Sequence, residues 1–461
     1  MIAMSGVRAW SEELNAAGLT MPGIMERGAV IASLPSLGLL TLAGLTPPEI
    51  EVEYREIRDL RAEGGPAGAA ATGALPTDYD LVAISSFTAQ VLDAYRVADF
   101  YRARGVPVVM GGLHASVLPD EAAAHCTSVV VGEAEPLWPR VMADFLAGGL
   151  KPRYAAAAGE EFDFACSPMP RFDLLDVRKY NRLTVQTCRG CPHRCDFCAS
   201  SILLTRKYKV KPVERIMAEV RRIREVWGAA ERGGGPFIEF ADDNSFINRA
   251  HARRLMEALR EEGVHWFTET DVSIAEDEGL LDLMRDSGCR EVLIGLESPR
   301  REGLEGVELR RNWKLRQLDR YEAAVRRIQS RGIAVNGCFV LGLDGDDESV
   351  FDAVEAFVER TGLFDVQVTV PTPFPGTPLY ARLAREGRLL APGRWERYTL
   401  FDVTVVPKRM SPQRLQRGLL ELAARLYDGA AVRERRRRFF READRRRIRP
   451  AMPRAAVEEA A

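Results

Sequence analysis

Apolar residues in the first 150 positions come in short blocks rather than in long helical stripes. Leu81-Val-Ala-Ile-Ser, Val108-Val-Met and Ser128-Val-Val-Val are runs of the kind a strand carries when both of its faces are covered. Glu51-Val-Glu-Tyr-Arg-Glu-Ile alternates with a period of two, and Met1–Met4 leaves room for a short opening strand. Pro107 stands just before the second run, where a strand tolerates a missing donor. Between the runs lie helical stretches, chiefly Ala89 to Arg104, which stops at Gly105. Short β runs separated by helices predict a doubly wound parallel sheet over residues 1–150. Residues 61–78, rich in Gly, Ala and Pro, read as a loop across that sheet.

Periodicity is weak over 151–180, which reads as a linker, and then a second series begins. Its strands are expected at Leu183–Gln186, Phe237–Phe240, His265–Glu269, Glu291–Gly295, Ala334–Leu341 and Asp365–Val370. Helices over Val213–Trp227, His251–Glu261 and Arg320–Arg331 separate them. Six successive β/α units over 181–400 predict a partial parallel barrel, with chemistry at the carboxyl ends of its strands. Residues 401–461 form a tail, helical from about Ser411, that closes on the arginine-heavy stretch Arg433–Arg449. Acids within that stretch make a solvated amphipathic helix the expected form rather than a nucleic-acid arm.

The chain has 461 residues, enough for two or three domains, and 46% of them are hydrophobic. No apolar stretch is long enough to span a membrane, and the N-terminus lacks a basic head followed by an apolar run. A cytoplasmic protein is the expectation. A net charge of -2 gives no reason to expect a nucleic-acid partner. Of the eight cysteines, four crowd together at Cys188, Cys191, Cys195 and Cys198. Cysteines so close in sequence make a poor disulfide framework and read as metal ligands. Cys191-Pro-His-Arg-Cys-Asp-Phe-Cys198 can hold three corners of a four-iron, four-sulfur cluster and leave one iron open. With Cys188 added, four thiolates could instead close a zinc or ferredoxin-like site, which would be a scaffold and not a catalyst. Cys126, Cys166, Cys289 and Cys338 read as structural, and His193 as a donor in the outer shell of the cysteine loop.

Thr187-Cys-Arg-Gly-Cys-Pro-His-Arg-Cys-Asp-Phe-Cys198 resembles the cluster loop of radical S-adenosylmethionine (SAM) enzymes. Phe237-Ile-Glu-Phe-Ala-Asp-Asp-Asn-Ser-Phe, Leu293-Ile-Gly-Leu-Glu-Ser298, Val340-Leu-Gly-Leu-Asp and Thr372-Pro-Phe-Pro-Gly-Thr-Pro-Leu-Tyr380 look like later strand-end motifs of that family, in order. The resemblance implies that Cys191, Cys195 and Cys198 hold a [4Fe–4S] cluster whose open iron binds SAM. Phe197, Asp242, Asp243, Glu297 and Ser298 would contact the SAM. Reductive cleavage would then yield methionine and a 5′-deoxyadenosyl radical, with flavodoxin or ferredoxin as the expected electron donor.

The first unit is similar to the cobalamin-binding, Rossmann-like domain that precedes many such barrels. The resemblance rests on Leu34-Pro-Ser-Leu-Gly-Leu-Leu-Thr-Leu-Ala, Ile84-Ser-Ser-Phe-Thr, Val109-Met-Gly-Gly-Leu-His-Ala-Ser and Val131-Gly-Glu-Ala-Glu-Pro-Leu-Trp. It implies corrin contacts at Ser85, Ser86, Thr88, Gly111, Gly112, His114, Gly132 and Glu133. No Asp-x-His-x-x-Gly occurs, so the axial-histidine mode of binding is not supported, and a first domain without cofactor stays open. The reading is cobalamin-dependent C-methylation of a small molecule. Oxidative cyclisation or rearrangement is a rival in the same radical class, and a non-catalytic Fe–S or zinc scaffold is a rival from another. Trp395, Tyr398 and Phe401 are expected to help form the substrate pocket.

Overall fold

The three short apolar runs of the first region, at Leu81, Val108 and Ser128, each become a parallel strand. A computed structural model describes residues 1–7, 9–16, 34–157, 160–199, 207–230 and 235–450. Its first sheet contains β1 (Ile2–Met4), β2 (Arg55–Ile57), β3 (Val82–Ser86), β4 (Val108–Gly111), β5 (Ser128–Val131) and β6 (Arg153–Ala155). The order is β2-β1-β3-β4-β5-β6, all parallel, with Ile2 between Arg55 and Ile84. Alternate residues bury on opposite faces, as a doubly wound sheet requires. Ile84, Met110 and Val129 pack with Tyr95, Val97 and Tyr101 of the helix Val91–Arg102. Ala83, Val109 and Val130 pack on the other side with Trp138, Val141 and Met142.

Two expectations are corrected here. Within 61–78 the chain forms a helix over Gly65–Ala71, because Pro66 suits a first helical turn and alanine is the strongest helix former. The expected linker 151–180 opens with β6, whose Tyr154 is buried and which extends the sheet beyond β5. Only after it does the chain turn through short 3-10 segments, such as Phe172–Leu174.

The second region contains β7 (Leu183–Val185), a two-stranded antiparallel ribbon of β8 (Cys188–Arg189) and β9 (Lys209–Val210), and then β10 (Phe237–Phe240), β11 (His265–Thr270), β12 (Cys289–Glu297), β13 (Ala334–Val340) and β14 (Asp365–Thr369). The parallel sheet runs β14-β13-β12-β11-β10-β7, so it curves without its two ends pairing. It is a partial barrel. Helices including Val213–Ala229, Arg249–Leu259 and Tyr321–Gln329 cover its outer face, where Val292, Ile294 and Leu296 are buried. The tail becomes helical at Pro412; Ser411 caps Pro412–Leu426 by accepting from Arg414 N at 3.1 Å, and Gly429–Arg445 follows. Gly418 is required there, since a Cβ would meet the Phe351 ring at 2.1 Å.

Chain beyond β14 joins the two regions. Trp395 and Tyr398 are buried in the core of the first sheet, and Trp395 Nε1 donates to Glu121 at 3.0 Å. Asp402 accepts from Trp10 N at 2.6 Å and Ser11 N at 2.9 Å. Phe401 is fully buried in the barrel core. None of Trp395, Tyr398 and Phe401 therefore lines an open pocket; their apolar surface is spent on holding the two regions together.

Candidate functional site

The cysteine loop leaves the carboxyl end of β7, and carboxylates on the next strand end hold it. Thr187 N and Cys188 N donate to Asp242 Oδ1 at 2.7 and 3.0 Å, and Ser245 Oγ donates to Oδ2 at 2.7 Å. Asp243 Oδ2 accepts from Gly190 N at 2.7 Å. Gly190 has φ +90°, a conformation that favours glycine. Beyond it, Arg194 N donates to Glu308 Oε1 at 3.1 Å and Asp196 N to Val307 O at 2.9 Å. Leu379 N donates to Asp196 O at 3.0 Å. Segments from three parts of the barrel thus pin the loop across the strand ends.

On this loop Cys195 is buried, while Cys191 and Cys198 are half-buried, and the three lie close enough to influence one another electrostatically. Burial pushes the Cys191 thiol up to about 11. A cluster that receives the thiolates and supplies positive charge suits such a set. Cys188 does not belong with them: it is fully buried in the ribbon, and its Sγ points to Asn244 O at 3.5 Å. Among the described residues no three Cys, His, Asp or Glu side chains converge on a single metal ion, as a closed zinc site demands. Three sulfurs on one loop suit a cubane instead, which spreads its ligands over separate irons. His193 contacts Asp271 Oδ2 through Nε2 at 3.2 Å and packs tilted against Trp313, ring centroids 4.2 Å apart, outside the three-cysteine set.

The residues expected around SAM divide. Phe197 packs between Val340 and Leu343 on one side and Leu379 and Leu383 on the other. Asp243 stands at the border between barrel and first domain. Asp242 is 4% exposed and its oxygens are taken up by Thr187, Cys188 and Ser245, so it shapes the loop. Ser298 is fully buried and its Oγ accepts from Arg300 N at 3.2 Å. Glu297 follows a bulge in β12, with φ +63°, and pairs with Lys314 Nζ at 2.7 Å. The pair crosses Gly295, where a Cβ would meet Glu297 Oε1 at 2.5 Å.

The inner face of the barrel was not read from the sequence. Gln186, Glu239, Glu269, Leu293, Gly295 and Cys338 keep accessible surface there, below the cysteine loop. Arg182 pairs with Glu239. Glu269 is open to water but ringed by protein, and among the described residues no cation pairs with it. Burial, then Glu239, Asp243, Asp242 and Glu297, push it up to about 8. Because this carboxyl holds its proton in the fold above its ordinary 4.5, its contribution to stability is complete below that value and lost as pH rises towards 8. Glu269→Gln is therefore expected to match wild type near pH 4 and to exceed it by up to about 1 kcal/mol at pH 8, after discounting for solvent. Urea unfolding at both pH values checks this; an equal or lower stability at pH 8 contradicts it.

A second cavity, of about 230 Å³, lies at the junction of the two regions. Its walls include Ser85, Gly111, Gly112, Gly132 and Glu133 from the ends of β3, β4 and β5. Gln186, Arg189 and Asp243 contribute from the barrel. Gly112 needs its freedom, with φ +97° and Ser85 Oγ 3.3 Å from where a Cβ would stand. Glycine-rich strand ends let a large flat group approach the backbone, and open α/β sheets bind ligands at this edge. Ser86 is not among the lining residues. Thr88 and His114 are buried and do not line this cavity. His114 Nδ1 meets Thr88 Oγ1 at 3.3 Å and Nε2 meets Glu121 Oε1 at 3.2 Å, beneath Trp395.

Comparison with known proteins agrees with this two-part plan. The Radical SAM superfamily model matches residues 185–387, and the B12 binding domain model matches 32–141. Residues 377–460 match a domain of unknown function, DUF4070. Bacteriochlorophyllide d C-12(1)-methyltransferase of Chlorobaculum tepidum is 28% identical over 419 residues, 89% of this chain and 86% of that protein. Hopanoid C-2 methylase of Rhodopseudomonas palustris is 27% identical over 376 residues, 78% of this chain and 66% of that one. The same fold occurs in the radical SAM methyltransferase TsrM from Kitasatospora setae, solved with cobalamin and a [4Fe-4S] cluster bound. Its TM-score is 0.63 at 17% identity, over 86% of this chain and 87% of that chain. The cobalamin-dependent SAM radical enzyme OxsB gives a TM-score of 0.66 at 15% identity, over 92% of this chain and 66% of that chain. The chain is thus a radical SAM protein with a B12 binding domain ahead of its barrel, homologous to the cobalamin-dependent radical SAM methyltransferases.

Proposed function

We propose that this enzyme methylates a carbon atom of a small molecule, with SAM as the source of both the methyl group and the radical. The observation that carries the reading is the shared cavity: glycine-rich strand ends of the B12 domain face Gln186, Arg189 and Asp243, which lead into or brace the cysteine loop. A methyl carrier held in the first domain then lies beside a radical source held on the barrel.

Cys191, Cys195 and Cys198 would hold the [4Fe–4S] cluster, and Ser85, Gly111, Gly112, Gly132 and Glu133 would line the cobalamin site. When bound there, the cluster supplies the electron that cleaves SAM and cobalamin supplies a transferable methyl group. The protein's own residues provide position and shelter. Asp242 and Asp243 fix the loop, Glu308 braces it from beyond β12, and the Lys314–Glu297 pair keeps a charged, neutralised edge under it. The accessible inner face around Glu269 and Cys338 supports a substrate chamber inside the barrel. Relatives named for bacteriochlorophyllide and for hopanoids differ too widely in substrate to fix this one. A flavodoxin or ferredoxin is the electron donor in this reading.

Reconstitution without oxygen tests the assignment. The expected result is about four irons and one corrin retained per chain after gel filtration. A chain that keeps its irons but no corrin contradicts the methyl-transfer reading.

A further inference from the structure

Arg189 sits two residues before Cys191, in the ribbon that carries the chain into the cysteine loop. Its guanidinium does not turn to solvent. Nη1 donates to Glu133 Oε1 at 2.7 Å, and Nη2 donates to Glu135 Oε1 at 2.7 Å and Gln186 Oε1 at 2.9 Å. The group lies over the Phe164 ring at 4.7 Å. Lys209, opposite Arg189 on β9, adds a second cation, donating to Glu133 Oε2 and Phe162 O, both at 3.0 Å. Glu133 and Glu135 belong to the turn after β5, begun by Gly132, whose N donates to Ser116 Oγ at 2.9 Å. Gly132, Glu133, Glu135 and Arg189 all line the 230 Å³ cavity.

The bridge is therefore two cations on two carboxylates, largely shielded from water: the Arg189, Glu133 and Glu135 side chains are 15%, 16% and 10% exposed. Shielded charge-assisted bonds of this kind are strong and directional. A planar guanidinium presents its donors in a rigid fork that holds two carboxylates in a fixed geometry, whereas an ammonium is a rotatable point charge. The bridge joins a wall of the first-domain cavity directly to the strand that enters the cysteine loop.

We infer that Arg189 is a positioning residue that locks the cobalamin-side turn to the cysteine loop and so sets the distance between the two cofactors. The inference rests on the reading above that both cofactors bind this chain. Rigid placement matters because the group passed between them must reach its acceptor, and small errors of position cost large factors in rate. In the passage at issue the S–CH3 bond of SAM breaks with its electron pair left on sulfur, as S-adenosylhomocysteine. A cobalt(I) corrin, made by a low-potential reductant such as titanium(III) citrate, gives the pair for the new Co–CH3 bond.

The test compares wild type, Arg189→Gln, Arg189→Lys and Glu135→Gln, each reconstituted with cluster and titrated with hydroxocobalamin by absorbance. Methyl passage from SAM to corrin is then measured at saturating corrin, beside 5′-deoxyadenosine formation. Arg189→Gln should weaken corrin binding by about tenfold. At saturation it should slow methyl passage by at least about tenfold more than it slows deoxyadenosine formation. Arg189→Lys should recover part of the loss. Glu135→Gln, which leaves the cysteine loop's own sequence intact, should reproduce the split if Arg189→Gln fails to fold. Equal loss of both reactions in both variants, or methyl passage at saturation equal to wild type, overturns the inference. A wild-type chain that binds no corrin overturns the underlying reading first, and the two failures are distinct.

Discussion

Cys191→Ala is expected to abolish 5′-deoxyadenosine formation, with a fall of at least about a thousandfold, or about 4 kcal/mol in barrier terms. The loop offers three sulfurs, so removal of one leaves two protein ligands for a cluster that needs three corners held. Cys188 is the internal control. Its thiol is fully buried against Asn244 O, outside the set of three, and Cys188→Ala should keep four irons per chain and measurable cleavage. Iron content and deoxyadenosine, measured on the same samples, check both. Cleavage retained in Cys191→Ala, or cluster lost in folded Cys188→Ala, contradicts the assignment of ligands.

Lys314→Met should cost about 3–5 kcal/mol of stability, because it strands Glu297 as a buried, unpaired charge. Lys314 Nζ lies 2.7 Å from Glu297 Oε1 and 2.6 Å from Gly295 O, and the two residues are 8% and 6% exposed. The carboxylate cannot swing to water easily, since its backbone is fixed at φ +63° by the bulge in β12. Adding Glu297→Gln to Lys314→Met should recover at least about half of the loss, since the unpaired charge is then gone. Urea unfolding of the cluster-free chain checks this apart from any effect on iron. A single variant within about 1 kcal/mol of wild type would show that water screens the pair.

How much of this was legible follows from what each residue's neighbours are. Apart from β6, the strands of both sheets could be placed within a few residues, because a parallel strand covered on both faces is itself an apolar run, as at Val108–Met110 and Ser128–Val131. The cysteine loop was legible because its ligands are adjacent in sequence. Glu269 was not: a single acid near the end of an apolar strand reads as a strand terminus. Yet His265, Phe267 and Glu269 share one side of β11, and a period-two count would have aimed the carboxyl at the barrel interior. Arg189 carried no signal, since its partners Glu133 and Glu135 lie more than fifty residues earlier, on another sheet. His114 stands close to Gly111-Gly112 in sequence, but the following turn buries it against Thr88, Glu121 and Trp395, a contact that only the fold of the tail creates. Asp242 and Ser298 both occupy strand ends, where neighbouring backbone and side chains take up their polar atoms.

The central claim is that one chain brings a SAM-cleaving cluster and a methyl-carrying corrin together. Its most direct measurement gives the reconstituted protein SAM with a deuterated methyl group under titanium(III) citrate, and quantifies 5′-deoxyadenosine and CD3-labelled corrin from the same sample. The account predicts both products from wild type, and Cys191→Ala is expected to lose deoxyadenosine while CD3 transfer is reduced by the damaged SAM site. Deoxyadenosine without labelled corrin, from a chain that has retained its corrin, would contradict it.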